Sequence, residues 1–153
     1  TGNIAILATR ATVESKLLSE YLRKSNLPKH VKVKKIDVSK LINLVEHTKF
    51  ISDQKLCERI IKKILSKPFS KFNIDVATLS STHLPFLLPL LKKQFPNITF
   101  LDPAEEVARK VKRIMIKKQS KINRLKIFTS SDPKRFEDDL LRLRIKKSVS
   151  LLR

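Results

Sequence analysis

Two hydroxyl-rich segments, Ala8-Thr9-Arg10-Ala11-Thr12 and Ser80-Ser81-Thr82-His83, each follow a short apolar run and precede a helical pattern. At such junctions, side-chain hydroxyls and the free backbone N–H groups of a helix start converge into a cradle for a carboxylate or phosphate. A small anion is the implied ligand. Leu101-Asp102-Pro103 occupies a third junction of the same kind. Taken singly, these residues also have plain structural uses: Thr9, Thr12 and Thr82 as helix caps, His83 as the residue orienting its turn, and Glu46 as a solvated carboxylate at a helix end. Cys57, the one cysteine, lies one position from the apolar stripe of a helix and reads as an inert, partly buried thiol.

Other chemistries are excluded by composition. The single glycine, Gly2, cannot build a Walker loop or a G-x-G-x-x-G turn. One cysteine allows neither an intrachain disulfide nor a Cys-rich zinc site, so no metal is expected, and a reducing, cytoplasmic setting is the simplest reading. No apolar run approaches the roughly 20 residues of a membrane span, so no membrane partner is expected.

The elements that must position these groups alternate along the chain. Asn3–Ala8, Val31–Ile36, Ile74–Leu79, Ile98–Leu101 and Leu125–Thr129 have the apolar or alternating pattern of strands. Between them, helical spacing predicts helices over Ala11–Lys24, from a cap at Asp37 or Ser39 to Glu46, over Asp53–Leu65 with Pro68 as its stop, over Pro85–Gln94, and after Asp102 as N-cap with Pro103 in the first turn. Val13, Leu17, Leu18, Tyr21 and Leu22 form the expected buried stripe of the first helix. Five alternations imply an α/β fold, a parallel sheet with helices on both faces, whose ligands bind beyond the carboxyl ends of the strands.

The chain of 153 residues carries 34 Lys+Arg against 14 Asp+Glu, a net charge of 34 − 14 = +20. Its densest basic stretch, Arg109 to Lys126, interleaves with Val107, Val111, Ile114 and Met115 and reads as an amphipathic helix with a solvated lysine face. No RNP-like aromatic cluster, zinc knuckle or helix-turn-helix pattern accompanies the charge, so nucleic acid is not an expected partner. Abundant Lys, Ile and Leu with few Cys and Met fit the composition drift of thermophilic proteins.

Five segments, in order, resemble the second domain of the glutamate racemase family, part of the aspartate/glutamate racemase superfamily. TGNIAILATRATVES (1–15) is similar to the opening of that domain, where a G-T-x-G-T-like turn follows the first strand. LINLVE (41–46) resembles L-V-P-L-V-E, and DVATLSSTHLPFLLPL (75–90) resembles D-x-L-V-L-G-C-T-H-x-P-L-L. LDPAEEV (101–107) is similar to L-I-D-S-A-E-E-T, and IFTSSDPKRF (127–136) to F-Y-T-S-G-D-P-x-x-F. The resemblance implies the Rossmann-like three-layer racemase fold and a cofactor-independent amino-acid racemase, in which two cysteines on opposite faces of the substrate exchange the Cα proton.

By the same resemblance, Ser81 stands where the family has its second catalytic cysteine. His83 matches the histidine that acts with that cysteine, and could serve as base directly or through Ser81. Glu46 matches the glutamate near both, while Thr9, Thr12 and Thr82 match groups that bind the substrate's amino and carboxylate ends. The substrate would be glutamate or aspartate. An alcohol does not ionise as a thiol does without a strong base beside it. The D-S-G-x-G-G, P-Y-G and C-N-T motifs of the family's first domain do not occur in the sequence. The expected organisation is therefore a second racemase-like domain (1–119) and a returning C-terminal segment (120–153), inactive alone and completed by the missing first domain or a second chain. A fragment of a longer protein, as the start at Thr1 without Met favours, and a half-length descendant are the two explanations. The alternative function is a non-catalytic module that holds a small carboxylate or presents its basic surface to an acidic partner. Leu125–Thr129, without its usual neighbours, is expected at a sheet edge or in a partner chain.

Overall fold

The structure is a computed structural model and describes residues 2–115 and 125–152. It divides into two compact units, Thr1–Arg113 and Ile114–Arg153. The first contains β1 (Asn3–Ala8), α1 (Arg10–Glu14), α2 (Lys16–Lys24), β2 (Lys32–Asp37), α3 (Ser39–Glu46), α4 (Lys49–Ser52), α5 (Gln54–Lys71), β3 (Val76–Leu79), a 3-10 turn (Leu84–Leu87), α6 (Leu88–Gln94) and β4 (Thr99–Leu101), and most of α7 (Ala104–Ile114). The second contains β5 (Ile127–Thr129), α8 (Pro133–Arg142) and β6 (Val149–Leu151).

Four strands form one parallel sheet in the order β2-β1-β3-β4. The register sets Leu7 beside both Ile36 and Leu79, and Thr78 beside Leu101, so neighbouring strands finish nearly level. From β1 the chain crosses to β2 on one side and then to β3 on the other. The switch point, where ligand crevices open in such sheets, therefore lies at the carboxyl ends of β1 and β3. Apolar burial holds this frame: Ala5, Leu7, Ile61, Leu65, Leu84, Leu87 and Leu91 are all fully buried.

Several expected boundaries shift for identifiable reasons. The first helix breaks in two at Ser15, whose extended backbone lets its Oγ accept the Leu18 N–H at 3.1 Å and cap α2. Leu17 and Tyr21, expected on its buried stripe, are 78% and 69% exposed. Pro68 does not stop α5, which continues to Lys71 and keeps Phe69 in the core. At α3 neither Asp37 nor Ser39 is the N-cap residue, which is Val38, without a side-chain bond. Asp37 nonetheless does the work of a cap, because its Oδ1 accepts the Ser39 N–H at 2.9 Å. Pro85–Gln94 is not one helix but the 3-10 turn followed by α6, which places Pro89 in a first turn, where proline belongs. The last helix of the first unit starts at Ala104, with Asp102 accepting its N–H at 2.9 Å.

Of the expected basic helix, α7 ends at Ile114, and Lys117, Lys118, Lys121 and Arg124 lie outside the described residues. Its apolar residues Val107, Val111 and Ile114 are exposed.

The fifth strand does not join the four-stranded sheet. β5 pairs in parallel with β6, a strand not expected from the sequence, and Leu140 of α8 is buried with Val149. Val149 N–H donates to Glu137 Oε1 at 2.7 Å, fastening β6 to α8.

Core burial predicts a sharp contrast in chemical denaturation. Ile61→Ala, at a fully buried position, should cost about 2–5 kcal/mol. Leu17→Ala, at a position 78% exposed, should stay within about 0.5 kcal/mol.

Candidate functional site

The Thr9 loop leaves β1 from the buried Ala8 and is held by two hydrogen bonds to the junction of β2 and α3. Ala8 C=O accepts the Val38 N–H at 2.9 Å, tying it to the end of β2. Arg10 N–H donates to Ser39 Oγ at 2.9 Å, and Ser39 Oγ donates to Asp37 Oδ1 at 2.6 Å. These bonds, chiefly the Ser39 hydroxyl, hold the Asp37 carboxyl below the usual aspartate range against the opposing effect of its partial burial, with the Ser39 N–H, Arg10 and Lys40 adding to the shift. Thr9 caps α1, accepting the Thr12 N–H at 3.3 Å, and the Thr9 and Thr12 hydroxyls lie 3.0 Å apart. The two hydroxyls thus sit together at the start of a helix, as the sequence suggests.

The second loop leaves β3 with Ser80, whose N–H donates to Leu7 C=O at 2.9 Å, so it is an extension of the β1–β3 ladder. Ser81 Oγ accepts the His83 N–H at 3.3 Å and lies 3.4 Å from His83 Nδ1. On the other side of the ring, His83 Nε2 lies 3.7 Å from Glu46 Oε1. Ser81, His83 and Glu46 therefore form one row. What joins them is packing: α3, which ends in Glu46, rests on the 3-10 turn that follows His83. Fully buried Leu41, Leu84 and Leu87 lie in the common core, and the Phe50 and Phe86 rings, 5.2 Å apart, tie α4 to the same turn.

Beside this row, a cavity of about 620 Å³ opens between the carboxyl ends of β3 and β4. Ser81 and Thr82 line it with Asp102, and its remaining wall is largely apolar, with Phe86, Pro103 and Val107. Thr9, Thr12, His83 and Glu46 are not among its lining residues. This cavity and the Asp37–Ser39–Arg10 brace are the features that sequence reasoning missed. The signal for the cavity was present in Phe86 and Val107, apolar residues in the helical turns that follow β3 and β4.

Cys57 is a separate matter. It is fully buried on α5, and burial, followed by the nearby Asp53 charge, pushes its thiol pKa up. A thiol held protonated in the core is no nucleophile. Among the described residues no group of His, Cys, Asp and Glu could hold a metal ion, and no helix is long and apolar enough to cross a membrane.

The turns also explain how a chain with one glycine makes these loops. Gly2, the exception, has φ +81°, and a Cβ there would stand 3.1 Å from the His30 ring, at the sheet end remote from these loops. Positive φ among the other described residues is confined to Asn26, Thr48, Asn73 and Arg144. Ala8, Ala11, Ser80 and Ser131 therefore meet no backbone requirement for glycine.

No family model matches the chain. Among curated proteins it is similar to the glutamate racemase of Carboxydothermus hydrogenoformans, 34% identical over 112 residues, covering 73% of this chain and 40% of that protein. It is also similar to that of Deinococcus radiodurans, 26% identical over 149 residues, covering 94% and 50%. The chain thus spans about half the length of these relatives or less. Among solved structures, a glutamate racemase isoform from Bacillus anthracis superposes with a TM-score of 0.79 at 23% identity, covering 99% of this chain and 56% of that one. Francisella tularensis glutamate racemase, solved with D-glutamate, does so with a TM-score of 0.80 at 18% identity, covering 100% and 58%.

The Asp37 brace predicts a pH signature. A carboxyl whose folded pKa is depressed stabilises the fold above its unfolded pKa, and that stability is lost as pH falls through the folded value. The stability gap between the chain and Asp37→Asn, read from urea midpoints, should be full near neutral pH and shrink below the ordinary aspartate value of about 3.9. A gap unchanged throughout that fall would show that charge on Asp37 is irrelevant.

Proposed function

The chain belongs to the glutamate racemase family, matching its second domain and C-terminal segment, and we propose that it supplies one half of a cofactor-independent amino-acid racemase site. The observation that carries this reading is the Ser81–His83–Glu46 row at the carboxyl end of β3. Racemisation needs a proton removed from one face of Cα and another delivered to the opposite face. This half serves one face. The other belongs to the first domain of a longer protein or to a second chain. Residues 1–119 are the substrate-bearing domain of this reading and 120–153 the returning segment, in a cytoplasmic setting that suits the free Cys57.

Glutamate is the proposed substrate, after the relatives' names, with aspartate the nearest competitor. Thr9 and Thr12 at the start of α1, with Thr82 beside the cavity, hold its carboxylate and ammonium groups. Glu46 accepts the Nε2 proton of His83, leaving Nδ1 free to accept the Ser81 hydroxyl proton. Ser81 Oγ, which also accepts the His83 N–H, then takes the Cα proton as its own passes to Nδ1, and Glu46 offsets the charge of the resulting imidazolium. On this reading the contacts of 3.4 and 3.7 Å tighten when substrate binds. A thiol at position 81 would ionise by itself, which makes serine the weaker proton carrier.

Joined with a first racemase domain in D₂O, the chain should exchange the Cα proton of L-glutamate faster than that of L-aspartate. His83→Ala should slow exchange by about 10²-fold or more, and Ser81→Cys should speed it. Absence of exchange in both the parent and Ser81→Cys would overturn the racemase reading.

A further inference from the structure

α5 carries two interleaved rows. Lys55, Arg59, Lys63, Lys67 and Lys71 recur at every fourth position, and all five are exposed. Cys57, Ile61, Leu65 and Phe69 recur at the same interval, two residues out of step, and all four are buried. Two residues turn a helix by about 200°, so at every level the cations stand opposite the core. The basic row steps about 6 Å at a time over about 24 Å.

This row lacks the acids that usually accompany such a face. Like charges four residues apart repel and weaken a helix. Elsewhere the chain pairs them, as in Arg10–Glu14 on α1 and Glu105 and Glu106 with Arg109 on α7. The one acid within α5, Glu58, is held by Lys93 at 2.7 Å. None of the five cations has a carboxylate partner among the described residues. Thermal adaptation through ion-pair networks therefore does not account for them.

At the end of the row the sheet adds more. Lys71, with Lys32 and Lys34 of β2, lines a cavity of about 350 Å³ at the end of the sheet opposite the Ser81 loop. Lys34 Nζ lies 4.4 Å and Lys71 Nζ 5.6 Å from the centroid of the Phe72 ring, so one aromatic ring engages two ammonium groups. Seven cations thus follow one path, gathered from segments that are distant in sequence.

We propose that this path binds the phosphate backbone of double-helical nucleic acid. A repeated cation suits a repeated phosphate, and neutralisation releases condensed counterions. The row carries no exposed aromatic platform, and the one ring beside it is occupied by lysines; single strands are usually held by stacking on such platforms. A duplex, whose bases are already stacked, presents phosphates alone.

Fluorescence anisotropy of the 153-residue chain with a labelled 20-base-pair DNA duplex, over a salt series, tests this. The logarithm of the binding constant should fall steeply with that of salt. The Lys63→Gln, Lys67→Gln, Lys71→Gln triple variant should make the slope shallower by about 3, with unchanged thermal stability or a gain in it. Neutralising Lys110, Lys112 and Arg113 of α7 should leave the slope as it is. The proposal fails if the α5 variant keeps the parent slope, if the α7 variant loses as much, if no duplex binding is seen near 0.1 M salt, or if the single strand of the same length or poly-glutamate binds as tightly as the duplex.

Discussion

The register that sets Leu7 of β1 beside Leu79 of β3 is the constraint on which the chemistry depends. Because the strands are parallel and end level, the loops carrying Thr9 and Ser81 leave from the same edge of the sheet, at its switch point. A slip of one residue would turn every side chain of β3 to the other face, exchanging buried Ala77 and Leu79 with Thr78 and Ser80. The full burial of Leu7, Ala77 and Leu79 therefore defends the site as well as the core.

A second constraint acts through helices rather than strands. Glu46 and His83 are brought together by neither a motif nor a ladder, but by α3 resting on a short 3-10 turn whose Leu84 and Leu87 are fully buried. That turn is possible because Pro85 and Pro89 each fall in a first turn, one of the 3-10 segment and one of α6. In a single continuous helix Pro89 would instead fall beyond the first turn and disrupt it.

How much of this was legible in the sequence follows from the range of the interactions. The runs NIAILA and IDVATL reveal strands because their burial is local in pattern, and Thr9 announces its cap because the donor lies three residues away. Pro68 misleads because the penalty it carries is local, while the burial of Phe69 that outweighs it is not. β6 escapes notice because VSL is too short to show a period. The approach of Glu46 to His83 was anticipated through family resemblance alone, since nothing in their spacing of 37 positions reports contact. The basic row of α5 is legible at four-residue spacing, whereas the densest charge lies in Arg109–Lys126, and density carries no information about direction.

The central claim is that Thr9, Thr12, Ser81, Thr82 and His83 form one amino-acid site at adjacent strand ends. Two-dimensional amide NMR of the isotope-labelled chain, titrated with L-glutamate to millimolar concentration, addresses it most directly. The account predicts that the resonances of these five residues shift together along one binding curve, while those of α5 stay in place. Shifts confined to other elements, or no shift at saturating glutamate, would contradict it.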